Sequence, residues 1–199
     1  GAGQVTRSTS DAYGNLTSKT DPLGRTTSYT YDGMGRVQTM TDPRGTTRYE
    51  YDGLGRLLKL TDPLDHETRY VYDGNGNKVE MIDARQHVTS YEYDARNRLA
   101  KVTFPDETTR RYTYNFRDQM TSETDQLDRT TRYEHDDAGQ LIKVVRPDQT
   151  ELVFTYDEAG RIRTATDERG KTSTYEYDPN CGCRNRMTKV TTADGKSSS

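Results

Sequence analysis

Residues 47–52 read TRYEYD, and polar and aromatic side chains alternate along them one for one. The same alternation returns at 27–32 as TSYTYD and at 173–178 as STYEYD. A period of two puts the Tyr residues on one face of an extended chain and the polar residues on the other. Tyr and Thr also favour strands. The pattern predicts a half-buried β-strand that ends at each Asp.

The strand recurs at a fixed interval. Its closing residue falls at Asp11, Asp32, Asp52, Asp73, Asp94, Asn115, Asp136, Asp157 and Asp178. Successive marks lie 21 residues apart, except for 20 between Asp32 and Asp52. From Asp32 onward, one position before the mark stand Tyr31, Tyr51, Tyr72, Tyr93, Tyr114, Tyr156 and Tyr177, with His135 as the exception. Over the same eight marks, three positions before stand Tyr29, Tyr49, Tyr70, Tyr91, Tyr112, Tyr133 and Tyr175, with Phe154 as the exception. Thr or Ser holds most of the places five before. Such a period marks tandem structural units, each too small to bury its own apolar face.

Each unit continues past the mark. DGMG, DGLG, DGNG and DEAG supply Gly and Asp where the chain must bend. A second strand follows, as in RLLKLTD at 56–62. Its apolar residues stand five and eight places past the Asp, for example Val37 and Met40, or Leu57 and Leu60. Those two places do not share a face of a regular strand. A bulge or a turn that runs late would reconcile them. A second turn, DPLG at Asp21, DPRG at Asp42 and DPLD at Asp62, closes the unit. It degrades to DARQ and FPDE in mid-chain and returns as DERG at Asp167. Strand, turn, strand, turn predicts an all-β strip of tandem antiparallel hairpins, roughly 16 to 18 strands at about two per repeat.

Composition changes this picture in one respect. Hydrophobic residues make up 29% of the 199-residue chain, too few for a conventional core. Charge does not point to disorder, because 29 basic residues nearly balance 32 acidic ones. The 15 Tyr carry the apolar burden, burying rings while their hydroxyls stay in water or bond a neighbour. That suits a thin sheet.

YDGLGRLLKLTDP, YDGMGRVQTMTDPRG and YDEAGRIRTATDERG closely resemble the YD repeats, or Rhs repeats, over about 11–178. These occur in bacterial Rhs and wall-associated proteins, toxin-complex shells and teneurins. The resemblance implies a spiralling β-strip that wraps into a hollow shell around a toxic or other polypeptide. It also implies a secreted or cell-surface location. Its structural residues would be Tyr29, Tyr31, Asp32, Tyr49, Tyr51, Asp52, Tyr70, Tyr72, Asp73, Tyr91, Tyr93, Asp94, Tyr175, Tyr177 and Asp178. The partners implied are the rest of its own shell and the enclosed polypeptide, with end-to-end self-association through unpaired strand edges. The family's aspartyl self-cleaving DPxGL motif is not matched. The 199 residues read as one repeat array, a piece of a larger shell, with 178–199 an atypical last repeat and polar tail. The leading GAG and trailing KSSS read as linker.

Chemistry-bearing motifs are few. His66 and His87 stand one period apart, and a metal pair there competes with two solvated loop residues, the preferred reading. His135 takes a Tyr place and reads as packing. The repeated Asp residues match no calcium-loop spacing and read as turn caps. No catalytic motif, metal site or cofactor site is expected. Basic residues are interleaved with acidic ones, which argues against nucleic acid, and no stretch is long and apolar enough to span a membrane as a helix. Cys181 and Cys183, in the insert DPNCGCRNRM, read as free thiols or a labile CxC disulfide. The reading is a shell segment without enzyme activity. The alternative is an extracellular module that binds carbohydrate or protein.

Overall fold

The computed structural model describes residues 6–178 and 187–198. The described strands are all antiparallel to their sequence neighbours, and no described residue is helical. The chain forms two compact units. The first takes in 1–97 and 104–106. Its strands are β1 (Arg7–Ser10), β2 (Leu16–Thr20), β3 (Thr26–Tyr31), β4 (Val37–Asp42), β5 (Gly45–Tyr51), β6 (Leu57–Thr61), β7 (Glu67–Tyr72), β8 (Lys78–Ile82) and β9 (Val88–Tyr93). The second takes in 98–103 and 107–199. It holds β10 (Leu99–Thr103), β11 (Thr109–Tyr114), β12 (Met120–Thr124), β13 (Thr130–His135), β14 (Leu141–Val145), β15 (Glu151–Tyr156), β16 (Ile162–Thr166), β17 (Thr172–Tyr177), β18 (Met187–Thr191) and β19 (Ser197–Ser198). Within each unit every strand pairs with the next, a simple meander. The 19 described strands exceed the expected 16 to 18, because β1 before the first mark and the two-residue β19 after the last also pair.

Among the described residues only Val102, Thr61 and Thr89 are buried. The aromatic face is therefore half-buried, each Tyr covered by its neighbours rather than by a second layer. The opposite face is polar and self-satisfied. Thr30 and Thr39 hydrogen-bond across β3–β4 at 2.7 Å, and Glu50 pairs with Lys59 across β5–β6 at 2.6 Å. Such cross-strand pairs add modestly to the sheet.

The structure decides the question of the fifth and eighth places. Tyr31 opposes Val37 and Thr30 opposes Thr39, leaving Gln38 as the extra residue of a bulge. The same shift occurs in β5–β6, where Tyr51 faces Leu57 and Glu50 faces Lys59, and in β15–β16. The bulge returns the eighth residue to the aromatic face, so Met40 lies opposite Tyr29 and Leu60 opposite Tyr49.

Both turns of the unit have one geometry. Asp32 N–H bonds the Arg36 carbonyl at 2.9 Å, and Gly35 N–H bonds the Asp32 carbonyl at 3.0 Å. The residue three past the mark takes positive φ, which Gly supplies without strain. Where the letters degrade the geometry holds: Gln86 of DARQ and Glu107 of FPDE have φ of 64° and 65°. The single-residue deletion lies in the β4–β5 turn. There Asp42 pairs directly with Gly45, and Pro43 and Arg44 form a two-residue loop.

Candidate functional site

The functional feature of this chain is a lattice of repeated contacts. It begins with the Asp that closes each first strand. Asp32 Oδ1 accepts the backbone N–H groups of Met34 and Arg36 at 2.9 and 3.0 Å, and Oδ2 accepts Arg36 Nε at 2.7 Å. Asp52 does the same with Leu54 and Arg56. Asp73 and Asp94 hold their turns through the N–H groups of Asn75 and Arg96. These bonds favour the ionised carboxylate. The backbone N–H of Arg36, then its guanidinium, holds Asp32 below the ordinary 3.8, and Arg56 acts likewise on Asp52.

The Arg four past the mark reaches onward. Arg36 Nη1 donates to the Asp52 carbonyl at 2.9 Å, and Arg56 Nη1 to the Asp73 carbonyl at 3.2 Å. Each guanidinium lies over the Tyr before that next mark. Arg36 is 4.8 Å from the Tyr51 ring centroid, Arg56 4.8 Å from Tyr72 and Arg161 4.4 Å from Tyr177. The hydroxyl of that Tyr reaches back. Tyr51 Oη donates to the Val37 carbonyl at 3.0 Å, Tyr72 to Leu57 at 2.9 Å and Tyr93 to Lys78 at 3.0 Å. Tyr31 and Tyr177 do so to Leu16 and Ile162. The accepting carbonyl always belongs to the first residue of the bulge. The Tyr three before the mark packs within its own hairpin: Tyr29, Tyr49 and Tyr70 face Met40, Leu60 and Met81, and Tyr175 faces Val190. Tyr91 stacks under Lys78 Nζ at 4.5 Å. Asp178 follows β17 directly, and Cys181 and Cys183 lie outside the described residues.

The sequence reading passed over the Arg four residues past Asp32, Asp52, Asp94 and Asp157. Its signal was present as the R in DGMGR, DGLGR and DEAGR. His66 and His87 are exposed, as a loop reading requires, yet they stand four past the Asp of the second turn, the place that Arg25 and Arg129 hold past Asp21 and Asp125. The His Nδ1 atoms lie 2.9 and 3.1 Å from Asp62 and Asp83. Among the described residues no three metal-ligating side chains cluster. At one seam three repeat residues are replaced together: Asn115 for Asp, Gln119 for Arg and His135 for Tyr. Asn115 Nδ2 donates to Gln119 Oε1 at 2.8 Å, and Gln119 Nε2 donates to the Gly139 carbonyl at 2.6 Å. His135 Nδ1 is buried without a hydrogen-bond partner among the described residues.

A model of the teneurin YD-shell family matches residues 9–197. The chain belongs to the teneurin YD-shell family. This shell segment is also similar in fold to the crystal structure of TcdB2-TccC3, with a TM-score of 0.67 and 19% identity over 98% of the chain. It is similar to the Photorhabdus luminescens Tc holotoxin pore, with a TM-score of 0.66 and 18% identity over 98%. The segment spans only 13% of either solved chain. None of the curated proteins matches it at a significant level. No described helix is long and apolar enough to cross a membrane.

The lattice predicts pH limits on both sides. Turn carboxylates such as Asp32 and Asp52 have lowered folded values, so their stabilisation is complete above 3.8 and is lost as pH falls through those lower values. Burial raises the phenols of Tyr51, Tyr93 and Tyr156. Their stabilisation is complete below 10.0 and is lost as pH rises through the raised values. Urea midpoints measured against pH should stay flat between these limits. A fall already complete by about pH 5 would show that the Asp contacts do not form in solution.

Proposed function

We propose that this chain is wall: a segment of a YD-repeat shell that encloses or scaffolds a polypeptide, a toxin in toxin-complex relatives. One observation carries the reading. Each Tyr hydroxyl bond ties a hairpin to the one before it, from Tyr31 on Leu16 to Tyr177 on Ile162. The repeated residues serve continuity, and the wall needs no catalytic centre. The Tyr and Asp residues of the repeat are its structural residues, and its partners are the rest of the shell and the enclosed chain. The 199 residues act as one array, and their shell is secreted or displayed at the cell surface. The outer edge of β1 is exposed along its length, which supports end-to-end association.

The test is protease protection in the parent protein. A polypeptide carried by the shell should resist digestion until urea unfolds the YD repeats. Cleavage at the rate of the free polypeptide, with the repeats still folded, would refute enclosure.

One observation favours an adhesion module instead. The turn tips on one edge of the first unit carry Tyr13, Met34 and Leu54, exposed to 92%, 71% and 82%. Tyr13 and Met34 also line, with Tyr29 and Tyr31, an open trough of about 680 Å3. A glycan array probed with the purified chain distinguishes this reading.

A further inference from the structure

The aromatic face of the second unit contains one charged pair where the other repeats carry none. Glu123 stands in the place held by Met40, Leu60, Met81 and Val144, and Arg110 in the place held by Thr27, Thr47 and Thr68. Glu123 lies opposite Tyr112 across β11–β12 and opposite Thr131 across β12–β13. Arg110 lies opposite Val102. The carboxylate sits near the Tyr133 ring: after burial, its charge is the next cause raising that phenol.

Stability alone does not explain this pair. A charge pair on a half-buried apolar face is commonly no better than the apolar residues it replaces. Nor does the pair close. Arg110 Nε is 3.6 Å from Glu123 Oε1, whereas the turn pair Arg36–Asp32 closes to 2.7 Å. Arg110 Nε is shut off from water with no acceptor among the described residues. Both side chains keep outward surface, 39% for Arg110 and 31% for Glu123. A guanidinium beside a carboxylate, with Tyr112 and Tyr133 flanking, offers donors and acceptors side by side over apolar rings. A peptide unit presents the complement: its C=O accepts from Arg, its N–H donates to Glu, and its side chain lies on a ring.

We propose that Arg110 and Glu123, between Tyr112 and Tyr133, form a docking point for an extended polypeptide lying on the aromatic face. The proposal rests on the shell reading, and the occupant is the enclosed chain in unfolded form. A single polar anchor on an apolar surface holds such a chain without demanding a sequence.

The test uses the 199-residue chain, isotopically labelled, and a permanently unfolded probe, reduced and carboxymethylated lactalbumin. The Arg110 Nε–H signal and the Tyr112 and Tyr133 ring signals should shift saturably. The double variant Arg110→Thr with Glu123→Met restores the residue types of the other repeats. It should keep its urea midpoint and bind about tenfold more weakly, the loss expected for charge-assisted hydrogen bonds. Arg110→Lys keeps the charge, removes the planar fork, and should weaken binding in the same direction. Unchanged affinity in both variants overturns the proposal. So does a shift at this pair produced by maltohexaose and not by the unfolded chain, which would assign the site to sugar. If the probe binds only at other repeats, the docking point fails while enclosure stands. Failed protease protection removes enclosure without altering these shifts.

Discussion

Gly45→Ala should be among the most damaging single-methyl changes in this chain, lowering unfolding stability by about 2–5 kcal/mol. Two effects combine there. Gly45 has φ +132, a backbone region that L side chains rarely adopt. An added Cβ would also stand 2.7 Å from Pro63 Cβ and 3.6 Å from its Cα. Pro63 belongs to the next turn on the same edge, so neither atom retreats without moving backbone. The cause is the deletion between Asp32 and Asp52. With one residue fewer, Asp42 pairs directly with Gly45, and β5 starts at once. Gly35→Ala is the control: its φ is +77, with nothing within 4 Å of the new Cβ, so only the strain of about 1 kcal/mol remains. Urea unfolding of both variants checks the ranking. Equal losses would mean that the Pro63 contact is not formed.

Tyr51→Ala should cost about 2–4 kcal/mol, toward the low side of large-to-small core changes because the ring is only half-buried. The variant loses the hydroxyl bond to the Val37 carbonyl and the ring beneath Arg36. Tyr51→Phe keeps the ring and should cost about 1 kcal/mol. Position in the array adds a sharper expectation. In repeat proteins stability resides in unit terms and nearest-neighbour terms, and Tyr51 supplies a nearest-neighbour term. Weakening it should broaden or split the unfolding transition, while Tyr51→Phe keeps a single one. A single sharp transition in Tyr51→Ala, shifted no further than in Tyr51→Phe, would contradict the role given to the ring.

The neutral seam at Asn115, Gln119 and His135 shows how these contacts depend on one another. Asn115 keeps the Asp role by accepting from the backbone of Arg117 and Gln119 at 2.9 and 3.1 Å. An uncharged carboxamide no longer favours Arg, and Gln119 satisfies it instead. The replacement therefore runs across three strands and looks unremarkable at any one of them.

The sequence by itself determined the elements and their faces. Period two in TRYEYD and the 21-residue spacing are local properties, set by backbone geometry within one strand or turn, so strands, turns and the Tyr face were legible. The residue types that permit positive φ also marked most of the turns. Only the tertiary structure decided the register. The bulge at Gln38 depends on which residue of β4 meets Tyr31, and alternation within either strand does not state it. The same limit hid the Arg role, because Arg36 touches Asp52 sixteen residues on, and the Tyr51 hydroxyl finds its acceptor fourteen residues back. It also hid the place of His66 and His87, whose partner carboxylates are fixed by turn shape rather than by residue type. Contacts between successive repeats depend on how hairpins stack, and one repeat copied in a line does not record that stacking.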